Sequence, residues 1–401
     1  MATHVNLLPG DPAPHFYQRS FGNPRYAFDT AAGRYIVLCF FGSASDPHSQ
    51  AAIAAARRRP DFFDDKTGCF FGVSIDPADE AEKRVSDSYP GYRFFWDFDL
   101  TASRLYGAVE MEATPQDHPL PFRRSWIVLD PTLRILQAIS FQEDQSDIAT
   151  LFSYLDSLPP PSRFAGFELQ APIIVLPNVF ESDLCKKLIG LYEAHGGQES
   201  GFMREVDGKT VGVTDHSHKR RRDYNIDDQG LRRELQRCFL RRVVPEIVKA
   251  YQFRVTRMER YIVACYAEED GGHFRAHRDN TTKGTAHRRF AVSVNLNDDF
   301  DGGEVSFPEY GPRGFKPGAG GAVVFSCSLL HAVSKVTRGR RHAFLPFLYD
   351  TDAARIREQN NSYLGDGVGA YRSGKPDPLT HGPEAVAPSE TESEQGEGAS
   401  S

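Results

Sequence analysis

The chain has 401 residues, 40% hydrophobic and 25% charged, with a formal net charge of −7, which fits a globular protein of about two domains and excludes a disordered or fibrous one. No apolar run reaches the roughly 18–20 residues of a membrane span, Met1–Phe16 lacks the basic and apolar regions of a secretory leader, and the acidic balance argues against a sequence-independent grip on nucleic acid. Six cysteines without a CxxC pair argue against a disulfide scaffold or zinc ribbon and for a reducing, cytoplasmic setting.

Residues 1–157 alternate strand-like and helix-like segments. Tyr35–Phe41, Phe70–Ile75, Phe94–Trp96, Trp126–Leu129 and Ile135–Ile139 read as short apolar strands, with helices expected over Ala51–Arg58, Ala78–Ser88 and Ile148–Leu158. That alternation predicts an α/β layer fold. Pro159-Pro160-Pro161 stiffens the chain, so 158–170 is the expected linker. A second domain is expected over 171–352. It opens with Ile173–Leu176 and a helix after Phe180 that Ser182 can cap. A longer helical stretch runs from near Leu231 into Val248, interrupted or kinked at Pro245. The charged run Lys219–Arg222 and the arginines of 232–242 read as a solvated helical face. Arg260–Tyr266, Arg289–Leu296, Glu304–Phe307, Ala322–Phe325 and His342–Leu348 then read as strands between glycine-rich turns. Helices followed by many short strands predict a jelly roll with helical support. Residues 353–401 read as an extension and, from about Gly374, an acidic tail rich in Pro, Ser, Glu and Gly that should be disordered.

The chemistry concentrates in the second domain. His277-Arg278-Asp279 places a histidine and a carboxylate two residues apart, on one face of a strand. His331 follows the apolar strand Ala322–Phe325, and Arg341 comes ten positions later. Two imidazoles and one carboxylate on one face of an octahedron leave three positions open, the pattern of non-haem Fe(II) oxygenases. Such a site needs a buried cation for the far carboxylate of a 2-oxo acid, and Arg341 offers a guanidinium fork suited to it. His216 and His218 are candidates for an extra metal pair but read as solvent or lid residues. His273 and His287 read as rim or core histidines near the metal strand.

These residues carry a resemblance. Cys265-Tyr266, Gly271-Gly272-His273-Phe274-Arg275-Ala276-His277-Arg278-Asp279, Asp301-Gly302-Gly303-Glu304, Lys316-Pro317-Gly318 and the segment from His331 to Arg341 resemble prolyl 4-hydroxylase-type Fe(II)/2-oxoglutarate dioxygenases. The resemblance covers about 173–350 and departs at Lys335, where that family often has proline. It implies a double-stranded β-helix, Fe(II) on His277, Asp279 and His331, and 2-oxoglutarate held by Arg341 with Tyr266 lining its pocket. It also implies dioxygen as cosubstrate, L-ascorbate as reductant, and succinate and CO2 as co-products. A carboxylate at 279 fills the position that related halogenases leave open, so hydroxylation is the implied outcome. The implied substrate is a prolyl residue or another amino acid or peptide.

Residues 8–157 resemble peroxiredoxins of the thioredoxin fold. Gly10-Asp11-Pro12-Ala13-Pro14, the strand and turn from Tyr35 to Ser49, and Arg123–Asp130 carry that resemblance. Ser49 stands where that family has its peroxidatic cysteine and Asp46 where it has threonine, and a serine hydroxyl does not become a thiolate-like nucleophile near neutral pH. The expectation is an inactive first domain that recognises substrate or a protein partner. The competing readings are a thiol redox protein working through Cys39 or Cys69, and a non-catalytic binding module on the same folds.

Overall fold

The computed structural model describes residues 4–117 and 119–373, so the expected tail lies outside the described residues. The first domain is built on a seven-stranded sheet in the order Tyr26–Ala27, Tyr17–Ser20, Tyr92–Trp96, Gly68–Ser74, Tyr35–Gly42, Ser125–Leu129 and Ile135–Ser140. The central strands Tyr35–Gly42, Gly68–Ser74 and Tyr92–Trp96 run parallel. All eight residues of Tyr35–Gly42 are buried. Tyr35, Val37, Cys39 and Phe41 enter one core and Ile36, Leu38 and Phe40 the other, because alternate side chains leave opposite faces of a strand covered on both sides. Helices Pro47–Arg57 and Ser146–Ser157 supply Ala52, Ile53, Leu151 and Leu155 to the first core. Asp46 caps the former by accepting from Ser49 N at 2.9 Å. This is the expected thioredoxin-like layer.

One element is shorter than its pattern suggests. The helix expected over Ala78–Ser88 stops at Ala81, because Lys83 adopts a left-handed backbone with φ 55° and ends the run.

The second domain is a double-stranded β-helix, two sheets facing each other. The larger sheet runs Arg257–Glu259, Phe347–Tyr349, Phe290–Asn295, Arg340–Phe344, Ile262–Ala267, Arg222–Asn225 and Gln198–Glu199, with Ala322–Ser326 attached to Phe290–Asn295 and Ile174–Leu176 attached in turn to Ala322–Ser326. The smaller sheet holds Lys219–Arg220, His273–His277, His331–Val333, Val305–Ser306 and Gly314–Phe315. Helices Ser182–His195, Gln229–Arg242 and Val244–Tyr251 cover the outer face of the larger sheet through Leu188, Leu235, Phe239 and Ile247, packed with Val263, Val292, Val294 and Phe344. Between the sheets lie smaller clusters around Phe307 and Phe325 and around Tyr266 and Phe274. Among the described residues no helix is long and apolar enough to cross a membrane.

Proline accounts for one expected break and one departure from the expected elements. The long helix divides at Val243, and Pro245 opens the second piece, where its missing N–H costs nothing. His342–Leu348 becomes Arg340–Phe344 and Phe347–Tyr349, separated at Pro346, which has no amide to give the ladder. Ser182 is the first helical residue, not the cap, and Glu181 precedes it without a side-chain cap bond. The larger correction concerns Lys219–Arg222. It is no solvated helix face. Lys219–Arg220 and Arg222–Asn225 are strands, and Lys219 and Arg221 are only 4% and 6% exposed. The chain also stays folded past 352, in helix Thr351–Gln359.

Candidate metal centre

His277 and His331 are paired across adjacent strands of the smaller sheet. The strand ends at His277, so Asp279 lies just beyond it and not on it as expected. Its amide donates to Cys327 O at 2.9 Å. That bond to the loop before His331 returns the carboxylate to the histidines. His277 Nε2 lies 3.6 Å from Asp279 Oδ1 and His331 Nε2 lies 3.3 Å from Asp279 Oδ2. The three ligand atoms fall within 4.8 Å of one another.

The donor set fits a divalent metal. His277 Nδ1 is 2.7 Å from Arg275 O and His331 Nδ1 is 3.0 Å from Leu329 O. A carbonyl can only accept, so both Nδ1 atoms carry the proton and both Nε2 lone pairs are free toward Asp279. Burial and then the neighbouring His331 push His277 down to about 4, which keeps it in the neutral ligand form. Phe274 stacks on His277 at 3.5 Å and Phe325 lies 4.6 Å from His331, so the rings sit in apolar packing.

Arg278, between the two ligands, holds the frame. Its Nε donates to Asp29 Oδ2 of the first domain at 2.7 Å, and its Nη2 to Glu309 Oε1 at 2.9 Å. Glu309 Oε2 in turn accepts from Leu330 N at 3.0 Å, beside His331. One guanidinium therefore ties both ligand-bearing segments to each other and to the first domain.

Across from the cluster, the inner face of the larger sheet carries Arg341 and Tyr266, paired in register. Arg341 is 1% exposed. Its Nε donates to Asn295 Oδ1 at 3.0 Å and its Nη2 to Ser293 Oγ at 2.6 Å, while Nη1 is buried without a hydrogen-bond partner. Burial lowers its pKa to about 10, within a range where the cation persists at neutral pH. A buried guanidinium with an unused donor is a cradle for a carboxylate. The Tyr266 ring is 5.3 Å from that guanidinium, and its hydroxyl accepts from Arg221 Nη1 at 3.3 Å. Ser293, Asn295 and Arg221 have no motif of their own; Ser293 and Asn295 were readable only as the polar alternates of an apolar strand.

A groove of about 1500 Å³ leads to His277 and Asp279. His331, Tyr266 and Arg341 are not among its lining residues. His218 lines it, half-buried against Phe202 and Phe274, with its ring 6.4 Å from His277. His216 instead meets Glu199, His273 bonds Gly271 O at 2.8 Å, and His287 bonds Glu259 at 3.0 Å.

Among the described residues the first domain shows no comparable centre. Ser49 is fully buried and donates to Phe41 O at 2.8 Å. Asp46 pairs with Arg124. Burial drives the thiol of Cys39 well above the ordinary range and that of Cys69 to about 11, so neither supplies a thiolate near neutral pH.

Residues 261–349 match the sequence model of the 2OG-Fe(II) oxygenase superfamily, and residues 9–137 that of the AhpC/TSA family. Among solved structures, a prolyl hydroxylase of Trichoplax adhaerens, in complex with a hypoxia-inducible-factor oxygen-degradation-domain peptide, is 17% identical. It covers 46% of this chain and 86% of its own, with a TM-score of 0.36. A Pseudomonas putida prolyl-4-hydroxylase is 17% identical over 45% of this chain and 94% of its own, with a TM-score of 0.33. Peroxidoxin BcpB of Mycobacterium tuberculosis is 18% identical over 38% of this chain and 99% of its own, with a TM-score of 0.32. The chain therefore joins an AhpC/TSA-family domain to a 2OG-Fe(II) oxygenase-superfamily domain, a dioxygenase family that uses Fe(II) and 2-oxoglutarate, and His277, Asp279 and His331 lie in the latter.

Proposed function

We propose that the chain hydroxylates an unactivated C–H bond of a prolyl residue or another amino-acid or peptide substrate. His277, Asp279 and His331 would hold Fe(II), and Arg341 with Tyr266 would hold the far carboxylate of 2-oxoglutarate. The observation that carries this reading is the convergence of the three ligand atoms opposite a buried guanidinium with a free donor. Bound there, the metal and cosubstrate supply dioxygen activation. One oxygen atom enters the substrate C–H bond and the other enters succinate, with loss of CO2, so no further reductant is consumed.

The residues contribute position and charge. Arg275 O and Leu329 O orient the two imidazoles, and Asp279 supplies the negative charge of the ligand set. Ser293 and Asn295 fix the plane of Arg341, so that its unpartnered Nη1 can meet a carboxylate without reorganisation. Phe274 and Phe325 pack against the two imidazole rings. The test is succinate formation from 2-oxoglutarate by the full chain with Fe(II) under air, screened against a peptide and amino-acid panel. Succinate coupled to a hydroxylated product is expected; its absence with every substrate would refute the reading.

A further inference from the structure

The groove that reaches His277 and Asp279 has two walls, and only one belongs to the oxygenase domain. The other comes from the first domain, through Tyr17, Arg25, Tyr26 and Tyr89. The two domains meet closely at its base. Arg278 bonds Asp29, and a Cβ at Gly33 (φ +95°) would come within 2.7 Å of Pro308. At the rim Arg25 pairs with Glu205 at 3.1 Å while stacking on Tyr17 at 4.0 Å. Each wall also presents a strand edge. Tyr26–Ala27 is the outermost strand of the first domain's sheet, and Phe202–Val206 pairs only with Lys209–Val213. Residues of both strands line the groove.

From this we infer that the thioredoxin-like domain is half of the substrate site, and that the groove takes an extended polypeptide segment lying between these two strand edges. The inference rests on the oxygenase reading above. The groove's volume exceeds the roughly 300–1000 Å³ typical of small-molecule pockets. Open strand edges recognise a chain through its backbone, and the rings and mixed charges beside them select its side chains. Tyr17 and Arg25 are then specificity-determining residues carried by a domain that lost its own nucleophile.

The test uses the full chain with Fe(II), 2-oxoglutarate and air. One arm contains a mixed library of proline-containing peptides about twelve residues long, and the other contains free amino acids. Gain of one oxygen atom is read by mass spectrometry and succinate is read in parallel. The best peptide is then titrated against Arg25→Ala and the milder Tyr17→Phe, with Met111→Ala, exposed and outside the groove, as control. Peptides should be hydroxylated in preference to free amino acids. Arg25→Ala should raise the peptide KM at least about fivefold, a loss of about one exposed ion pair and stacking contact, with kcat within twofold, and Met111→Ala should change neither. Preference for a free amino acid, a peptide KM indifferent to both wall substitutions, or succinate formed with no peptide product would overturn the inference while leaving the oxygenase reading intact. No succinate in either arm would refute both.

Discussion

At the scale of single residues, two bonds to backbone carbonyls decide what the centre can do. Because Arg275 O and Leu329 O take the Nδ1 protons, His277 and His331 face Asp279 as lone-pair donors. Arg341 works by shape as much as charge. Its Nε already donates to Asn295 and its Nη2 to Ser293, and Nη1 is the nitrogen left without a partner. Arg341→Lys keeps the charge but loses the fork. The expected result is a rise in 2-oxoglutarate KM of about 30-fold, corresponding to about 2 kcal/mol for a charge-assisted hydrogen bond, with Fe(II) affinity unchanged in anaerobic titration. An unchanged KM would place the cosubstrate elsewhere. The candidate ligands and Arg341 were legible in the sequence because metal and carboxylate recognition demand particular side chains. Arg221 and Lys219 were misread, because a run of four basic residues looks solvated. Their burial depends on Asp223, which holds Arg221 through paired bonds of 2.7 Å, and on Ser200, 2.8 Å from Lys219 Nζ.

At the scale of elements, Glu259 joins pieces that are distant in sequence. From strand Arg257–Glu259 it receives Arg288 at 2.9 Å, His287 at 3.0 Å and Arg357 of helix Thr351–Gln359 at 2.7 Å. Burial raises its carboxyl, but Arg288, His287 and Arg357 outweigh that and hold it below the usual carboxylate range. A depressed folded value means stability that is fully present above the unfolded pKa near 4.3 and is lost as pH falls through the folded value. Glu259→Gln should therefore cost about 3–5 kcal/mol at pH 7, as for one partner removed from a buried ion cluster. In urea denaturation the difference from the unsubstituted protein should shrink between about pH 5 and pH 2. A constant difference would contradict the assignment. Short apolar runs made most strands legible, since Tyr35–Gly42 and Phe290–Asn295 are buried throughout. The split at Pro346 was readable from proline alone, whereas the early end of Pro77–Ala81 depended on the left-handed turn at Lys83, for which the sequence carries no glycine signal.

At the scale of the molecule, the metal strand is held in part by the other domain. The Asp29–Arg278 bond was illegible in the sequence, since it joins positions 249 residues apart and neither belongs to a motif for it. Asp29→Ala should loosen the domains without unfolding either. Cleavage within 158–170 by a broad-specificity protease should speed up several-fold at unchanged far-UV circular dichroism; an unchanged rate would show that the remaining contacts, Gly33 against Pro308 and Arg25 with Glu205, suffice to hold the domains together. The centre itself is tested most directly by spectroscopy. The full chain, mixed anaerobically with Fe(II) and 2-oxoglutarate, should develop the weak visible metal-to-ligand charge-transfer band of a 2-oxo acid chelated to ferrous iron. Asp279→Ala should abolish it. Absence of the band in the unsubstituted chain, or its survival intact in Asp279→Ala, would contradict the assignment of His277, Asp279 and His331 as the metal site.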